Sequence, residues 1–592
     1  MVLPKIPTRW RRTSKEATAA DEALIDEIAR GLSLSRVTAR ILIQRGITSL
    51  EEAKTYLHSD LSQLPDPFTL KDMDRAVSLI VEAIQNKKKI AVWGDYDVDG
   101  TTGAALLYTF FKELSVDVIV HQPDRFKEGY GINPEWIEKL KDEKGVDLVV
   151  SVDCGITSFE AAKKAKEIGL TLVVTDHHRP KAEAPEADCI VNPNLESDTS
   201  DLKMLAGVGV GFYLAIALRK GLRDVSYFSN REEPNLKSYL DLVALGTVAD
   251  LAPMIGVNRI LVREGMKVLE RSGRPGIQAL LKASNCPLPI TAYQIGFVLG
   301  PRINAAGRVG TPKIAFDLLT ATSREKAEEL AVTLEGLNLE RRGLQKEIWE
   351  EACQMVDSLS DPTKRRSLVL FSENWHEGVI GIVAGKVTEK YQKPTVVIHF
   401  PKDPETGLPS SVGKGSVRSY GNINILEALN FSGQALEEFG GHAQAAGLTI
   451  KKDQINHFWE LLETYLKANT DESDYLPCLQ VDCEVDLQDM SQQVVKEIQS
   501  IGPFGVKNPE PVFYSNAVSE RILLLKGKHL KLKLTSPTQS RKRSIDAIGF
   551  NMAERERLPE EGKPLQIAYT PDINTWGGVS SLQLKLKDLE AH

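Results

Sequence analysis

The chain has 592 residues, a formal charge of −8 and a pI near 5.9, with 42% hydrophobic and 26% charged residues. That length and balance fit roughly three to five globular domains of about 150 residues each. The acidic balance excludes a uniformly basic nucleic-acid binder, so such a partner would have to meet local basic patches. No run of about 18 apolar residues occurs, and no apolar run follows the basic "MVLPKIPTRWRR", so neither a membrane span nor a secretory leader is expected. The six cysteines (Cys154, Cys189, Cys286, Cys353, Cys478 and Cys483) form no CxxC pair. They point to reduced thiols in a cytoplasmic protein rather than to disulfides or a zinc site.

In chain order, residues 1–75 are expected to form an N-terminal helical segment. "KKKIAVWGDYDVDGTTGAALLYTFFKEL" then reads as strand, polar loop and helix. "VDVIVHQ" is a strand, "GVDLVVSVDCGITSFEAAKKAKEIG" is again strand, loop and helix, and "LTLVVTDHHRP" and "ADCIVNPN" each contain a strand. Continuous apolar strands alternating with helices predict a buried parallel sheet in a domain over 76–322, mostly helical from about Leu202. Residues 323–362 are expected as a linking helix. Ser323 to Leu359 lacks proline and is rich in Glu, Leu, Lys and Arg, and reads as one helix or as two broken near Gly336. A second α/β domain follows over 363–468, and then the polar "KANTDESDYLP". From 476 to 592, the alternation in "HLKLKLT" and "SLQLKLKDL" predicts a β-barrel such as an OB-fold, with a sandwich left open. The fold class is an α/β multidomain chain: parallel-sheet domain, long linking helix, second α/β domain and C-terminal barrel.

The acidic residues fall at chosen places. Asp95, Asp97 and Asp99 alternate just after the first strand, Asp153 follows "LVVSV", and Asp176, His177 and His178 follow "TLVVT". Asp250 sits in "LVALGTVADLAPM", at the end of an apolar helix. Each cluster alone reads as a solvated loop or polar surface. Three of the four lie at the carboxyl ends of predicted parallel strands, the edge where open α/β sheets bind ligands. So many carboxylates at one edge repel one another and resist burial unless cations lie between them. Paired Mg²⁺ or Mn²⁺ ions suit such carboxylate sets, and imidazole favours Mn²⁺.

"GDYDVDGTT", "SVDCG", "TDHH" and "GTVADLAPM", in this order, resemble the DHH phosphoesterase superfamily. "GPRINAAGRVG", "WHEGVIGIVAGKV", "SVRSYGNINILEAL" and "FGGHAQAAGLTI" resemble its RecJ family of single-strand-specific 5′→3′ DNA exonucleases. The resemblance implies a DHH domain, a linking helix, a DHH-associated domain and an OB-fold, with two Mn²⁺ or Mg²⁺ ions as cofactors. It implies Asp97 and Asp99 as paired metal ligands, Asp95 as an extra acid, and Asp153 as a bridge between the ions. His177 and Asp250 would complete the second ion's shell. His178 would act catalytically beside it, on metal-bound water or the scissile phosphate, and Asp176, directly after the strand, would either orient His177 or serve as a turn residue. Many DHH proteins carry a ligating His where Trp93 stands here, which leaves the first ion short of a ligand unless Asp95 or water compensates. The implied partners are single-stranded DNA, a single-stranded-DNA-binding protein and a helicase, with the chain a monomer active in DNA repair and recombination. Two other functions are open: a phosphodiesterase of short oligonucleotides, against which the barrel speaks, and a non-catalytic replication scaffold, against which the Asp–His set speaks.

Arg302, Asn304 and Arg308 in the loop-like "PRINAAGR", and Arg418 and Ser419 in "SVRSYGN", are candidate contacts to substrate phosphate. So are Gly440, Gly441 and His442 in "FGGHAQAAG". A surface arginine or a tight turn is the plainer reading of each. Lys526, Lys528, Lys531 and Lys533 predict a basic strand, with "SRKRS" (Ser540 to Ser544) nearby. The strand would serve either to track single-stranded DNA or to protect a sheet edge. Tyr569 and Trp576 would stack bases or fill the core, and Trp375 and His376 would pack ordinarily or line the cleft.

Overall fold

The computed structural model describes residues 9–12, 18–181, 183–359, 364–402, 407–537, 543–553, 558–576 and 578–591. Ser540, Arg541 and Lys542 of the basic run lie outside the described residues, as does the side chain of Trp576. The chain divides into two units: Thr18–Asn338 with Gln493–Glu510, and Met1–Ala17 with Leu339–Gln492 and Pro511–His592.

In the first unit, the strands Ile90–Gly94 and Leu148–Val152 are buried at every position. A strand covered on both faces must be apolar throughout, which is why these read as unbroken hydrophobic runs. They lie inside a five-stranded, wholly parallel sheet in the order Val118–His121, Ile90–Gly94, Leu148–Val152, Thr171–Thr175, Cys189–Val191. Alternation divides each strand between two cores. Ile90 and Val92 enter a large core shared with the helices Met73–Gln85, Val98–Glu113 and Gly207–Asp224. Ala91 and Trp93 enter a smaller one shared with Pro134–Asp142 and Phe159–Glu167.

Three expectations are corrected here. The stretch "GPRINAAGRVG" is the helix Gly300–Val309, not a loop. Its proline stands in the first turn, where the missing N–H costs nothing. Its small residues permit close packing: a Cβ on Gly307 would lie 2.8 Å from the carbonyl oxygen of Tyr96. Second, the N-terminal segment is not wholly helical. Arg9–Arg12 is a strand in the second unit, paired in parallel with Cys478–Val481. Third, Gln493–Glu510, inside the expected barrel region, belongs to the first unit. There the buried Arg259 donates to the carbonyls of Ile501 (3.1 Å), Ser500 (3.2 Å) and Tyr56 (2.7 Å). Its guanidinium lies 3.7 Å over the Tyr56 ring. The last carbonyls of two helices, Leu50–Leu57 and Gln492–Ile501, thus receive the charge where a carboxylate would be expected.

The linking segment is one unbroken helix of 34 residues, Arg324–Asp357, with no break at Gly336. The second unit holds a five-stranded mixed sheet in the order Glu438–Gly441, Ala445–Lys451, Val412–Arg418, Thr395–His399, Leu368–Ser372, of which the last two pair in parallel. Its barrel runs Phe513–Leu525, His529–Thr535, Ile545–Gly549, Val579–Ala591, Pro564–Trp576, and the last strand closes on the first. A closed five-stranded barrel is the OB-fold arrangement and removes the sandwich alternative.

Candidate metal centre

The carboxyl ends of three neighbouring strands and the end of one helix deliver the cluster. Asp97 caps Val98–Glu113, accepting from the Gly100 N–H at 3.1 Å. Asp99, in the first turn, is 1% exposed. Its carboxylate accepts from the N–H groups of Gly207 (2.6 Å) and Val208 (2.9 Å), at the N-terminus of Gly207–Asp224. Asp153 follows Leu148–Val152 with φ +64, a left-handed conformation that costs energy for a non-glycine residue and recurs at functional sites. Asp250 caps the C-terminus of Leu240–Ala249.

These side chains meet. His177 Nε2 lies 3.2 Å from Asp153 Oδ1 and 3.8 Å from both Asp99 Oδ2 and Asp250 Oδ2. Three groups have ligand atoms within 4.8 Å of one another: Asp95, Asp97 and Asp153; Asp99, His177 and Asp250; and Asp153, His177 and His178. Asp153 thus stands with both the carboxylate set and the histidines. Trp93 is fully buried in the smaller core, its ring centroid 4.3 Å from that of His121, and supplies no ligand. His121 in turn pairs with Glu128 at 2.9 Å.

Burial and mutual repulsion raise Asp95, Asp99, Asp153 and Asp250 in the bare protein. Burial, then Asp97, pushes Asp99 up to about 7; burial, then Asp99 and Asp97, pushes Asp250 up to about 8. Asp95 and Asp153 rise well above the usual carboxylate range from the same two causes. Burial and the His178 charge lower His177 to about 4, so its imidazole is neutral and free to ligate near neutral pH. Asp95 Oδ1, Asp153 Oδ1 and His177 Nε2 are buried with no hydrogen-bond partner. Unpaired buried oxygens and an imidazole nitrogen, set among acids that repel one another, fit divalent cations, which would supply the missing partners and neutralise the charge.

Asp176 needs a correction. It orients His178, not the ring of His177. Oδ1 accepts from His178 Nδ1 (2.8 Å) and from the N–H groups of His177 (2.7 Å) and His178 (3.1 Å), while Oδ2 accepts from the Ile156 N–H (2.9 Å). Burial opposes the His178 charge, but the Asp176 carboxylate outweighs it and raises His178 to about 9.

Sequence reasoning missed the supporting residues. The amide of Asn192 donates to His178 O and that of Asn194 to His177 O. Gln122 donates to Asp95 O, and the Tyr130 hydroxyl lies 3.2 Å from His178 Nδ1. A Cβ on Gly207 would sit 2.5 Å from that of Asp153, so only glycine fits there. The glycine-dense "AGVGVG" and the repeated Asn of "VNPN" were the available signals.

The substrate candidates scatter. Arg302 spends its fork on Glu335 (2.5 and 3.2 Å) and Val298 O, so it is not open to phosphate as expected. Asn304 and Arg308 are half-buried on the same helix. Arg418 Nη1 donates to Ser416 Oγ and Val417 O, and Ser419 Oγ to Ile423 O. Gly440 and Gly441 end an exposed strand, and His442 begins the turn after it. Only Lys531 and Lys533 lie on the strand His529–Thr535. Lys526 and Lys528 flank Gly527 in the preceding hairpin turn, which corrects the four-lysine strand. Lys531 pairs with Asp546 at 3.2 Å. Tyr569 is a core residue, fully buried with its hydroxyl 3.0 Å from Ser515 Oγ, and Trp375 is likewise core, bonded to Glu351.

The sheet, its acidic edge and the barrel define the class. Family models match as the DHH family N-terminal domain over 89–247, the DHHA1 domain over 365–468 and the RecJ OB domain over 481–588. The single-stranded-DNA-specific exonuclease RecJ of Haemophilus influenzae is 35% identical over 579 residues, covering 95% of this chain and 98% of that protein. RecJ of Bacillus subtilis is 34% identical over 582 residues, covering 98% and 70%. The crystal structure of RecJ from Thermus thermophilus in complex with Mn²⁺ superposes with a TM-score of 0.81 at 28% identity, covering 99% of this chain and 80% of that one. Its complex with Mg²⁺ gives 0.76. The chain belongs to the RecJ family.

Proposed function

We propose that this protein is a single-stranded-DNA-specific 5′→3′ exonuclease that hydrolyses phosphodiester bonds with two Mn²⁺ or Mg²⁺ ions, in DNA repair and recombination. The observation that carries the reading is the convergence of Asp95, Asp97, Asp99, Asp153, His177 and Asp250, with buried, unpartnered ligand atoms on Asp95, Asp153 and His177. Asp95, Asp97 and Asp153 would hold one ion, and Asp99, His177 and Asp250 the other. The ions supply an activated water and stabilisation of the leaving oxygen. The protein's own part is orientation. The N–H groups of Gly207 and Val208 fix the Asp99 carboxylate, and the side chains of Asn192 and Asn194 hold the backbone of the histidine pair. His178, held at Nδ1 by Asp176, stands beside the cluster, where its ring could meet a scissile phosphate or the attacking water.

A cytoplasmic location is in keeping with six cysteines that are all free thiols. A single-stranded-DNA-binding protein and a helicase are the partners such a role calls for. The test is cleavage of matched single strands blocked at either end, with Mn²⁺ and with chelator. The 3′-blocked strand should be degraded, while the 5′-blocked strand, the duplex and the chelated reaction should not. Degradation of the 5′-blocked strand refutes the polarity.

A further inference from the structure

Residues 9–12 and 473–480 lie outside all three matched regions, yet with the turn at Tyr420 they build a cavity of about 670 Å³ in the second unit. One wall is the parallel pair Arg9–Arg12 and Cys478–Val481, with Arg9 opposite Cys478 and Arg11 opposite Gln480. Strand alternation divides "RWRR". Trp10 packs on Val481, Tyr514 and Ala568 and donates from Nε1 to Asp588 Oδ2 at 2.7 Å. The guanidinium of Arg12 lies 5.3 Å from the Tyr514 ring centroid. Both are thereby committed to the barrel. Arg9 and Arg11 stand on the opposite face, exposed, and among the described residues neither side chain has a hydrogen-bond or ion-pair partner.

The facing wall carries Tyr420, Asn422, Ser473 and Asp474. It begins one residue after Ser419, so it continues the "SVRS" segment that ends the strand Val412–Arg418. Asp474 brings the one carboxylate of the lining, and its Oδ2 accepts from the Asp471 N–H at 2.8 Å. Against that single carboxylate the cavity sets two guanidinium forks, with the amides of Asn422 and Gln480 and two hydroxyls also able to donate. Its volume falls within the ~300–1,000 Å³ of small-ligand sites. Two guanidiniums at alternate strand positions, about 6.7 Å apart along the strand, suit successive phosphates of an extended polynucleotide rather than one compact anion.

We infer that this cavity is a backbone subsite for single-stranded DNA, in which Arg9 and Arg11 each neutralise one phosphate. That DNA is the occupant rests on the exonuclease reading above. The test is affinity for a long oligothymidine across a salt series, in chelator so that no cleavage occurs, for wild type, Arg9→Ala/Arg11→Ala and Arg9→Lys/Arg11→Lys. Each phosphate contact contributes about 0.7 to the log–log salt slope on single strands, so the alanine pair should flatten the slope by about 1.4 and the lysine pair should keep it. A thermal melt shows that each variant is folded. A wild-type slope in a folded alanine variant overturns the proposal. So does a selective loss of binding to polyglutamate, which would make the cavity a site for acidic peptides. Cleavage by the wild type in Mn²⁺ is measured separately: its absence, with the slope difference present, refutes the exonuclease reading and leaves the subsite standing.

Discussion

Asp176 has no exposed surface, yet both its oxygens are fully used by Ile156, His177 and His178. Asparagine at this position keeps the shape and removes the charge that holds His178 protonated. Asp176→Asn should lower cleavage by about 10–100-fold, the usual cost of losing a group that orients a metal site. It should also bring the His178 pKa of the metal-free protein down from about 9, read from the imidazole resonances. An unchanged titration would assign the charge to another source. The acids make a second prediction. In the metal-free protein, Asp99 and Asp250 release protons at about 7 and about 8, against an ordinary value of 3.8 in the unfolded chain. Between those limits the folded state binds more protons than the unfolded, so stability falls as pH rises. His178 acts in the same direction, because its contribution is full below its unfolded value of 6.5 and is lost as pH passes about 9. Ions displace the carboxyl protons, so the Mn²⁺-induced rise in Tm should be larger near pH 8 than near pH 6. A rise that shrinks with pH would mean that these acids do not bind the metal.

At the scale of the element, the long helix Arg324–Asp357 contains two glycines, Gly336 and Gly343, both exposed. An added Cβ would meet no atom within 4 Å at either position. Glycine in a helix interior costs roughly 0.5–1 kcal/mol relative to alanine. Gly336→Ala and Gly343→Ala should each stabilise by about that amount, seen as a higher denaturant midpoint at constant slope. Destabilisation would mean that the helix bends at these points in solution. The sequence left one helix or two open here because a single glycine weighs little against so many strong helix formers. "PRINAAGR" misled for the opposite reason. Pro, Asn and Gly are loop residues by local preference, but Ile303, Ala305 and Ala306 are buried, and packing overrides preference.

For the whole molecule, the return of Gln493–Glu510 to the first unit decides where the chain can be cut. Besides receiving Arg259, this segment places Glu497 on the Ser35 N–H and Thr38 Oγ1 (both 2.9 Å) and Val506 O on the Met254 N–H (2.7 Å), four residues beyond Asp250. Ending the chain at Leu476 strips these partners and leaves buried donors unpaired, at about 1–3 kcal/mol for each group. Ending it at Glu510 keeps them. The longer protein should therefore melt higher and retain metal-dependent cleavage, whereas the shorter should melt lower or fail to fold. Equal melting temperatures would make the segment dispensable.

The features legible in the chain alone were local: apolar runs long enough for buried strands, Asp and His placed directly after them, and the alternation that makes the barrel strands. Parallel topology sends the ends of such strands to one edge, so most of the metal cluster was legible without coordinates. Tertiary packing settled that Arg9–Arg12 pairs with Cys478–Val481, that Gln493–Glu510 leaves the barrel region, and that Gly207 makes room for Asp153. Each of these joins residues far apart in the chain, and local periodicity records only that a segment needs a partner, not which one. The division of labour within "TDHH" was hidden for a related reason. Which histidine Asp176 holds depends on ring orientation, and it is His178 Nδ1 that meets its carboxylate, on a backbone held by Asn192 and Asn194.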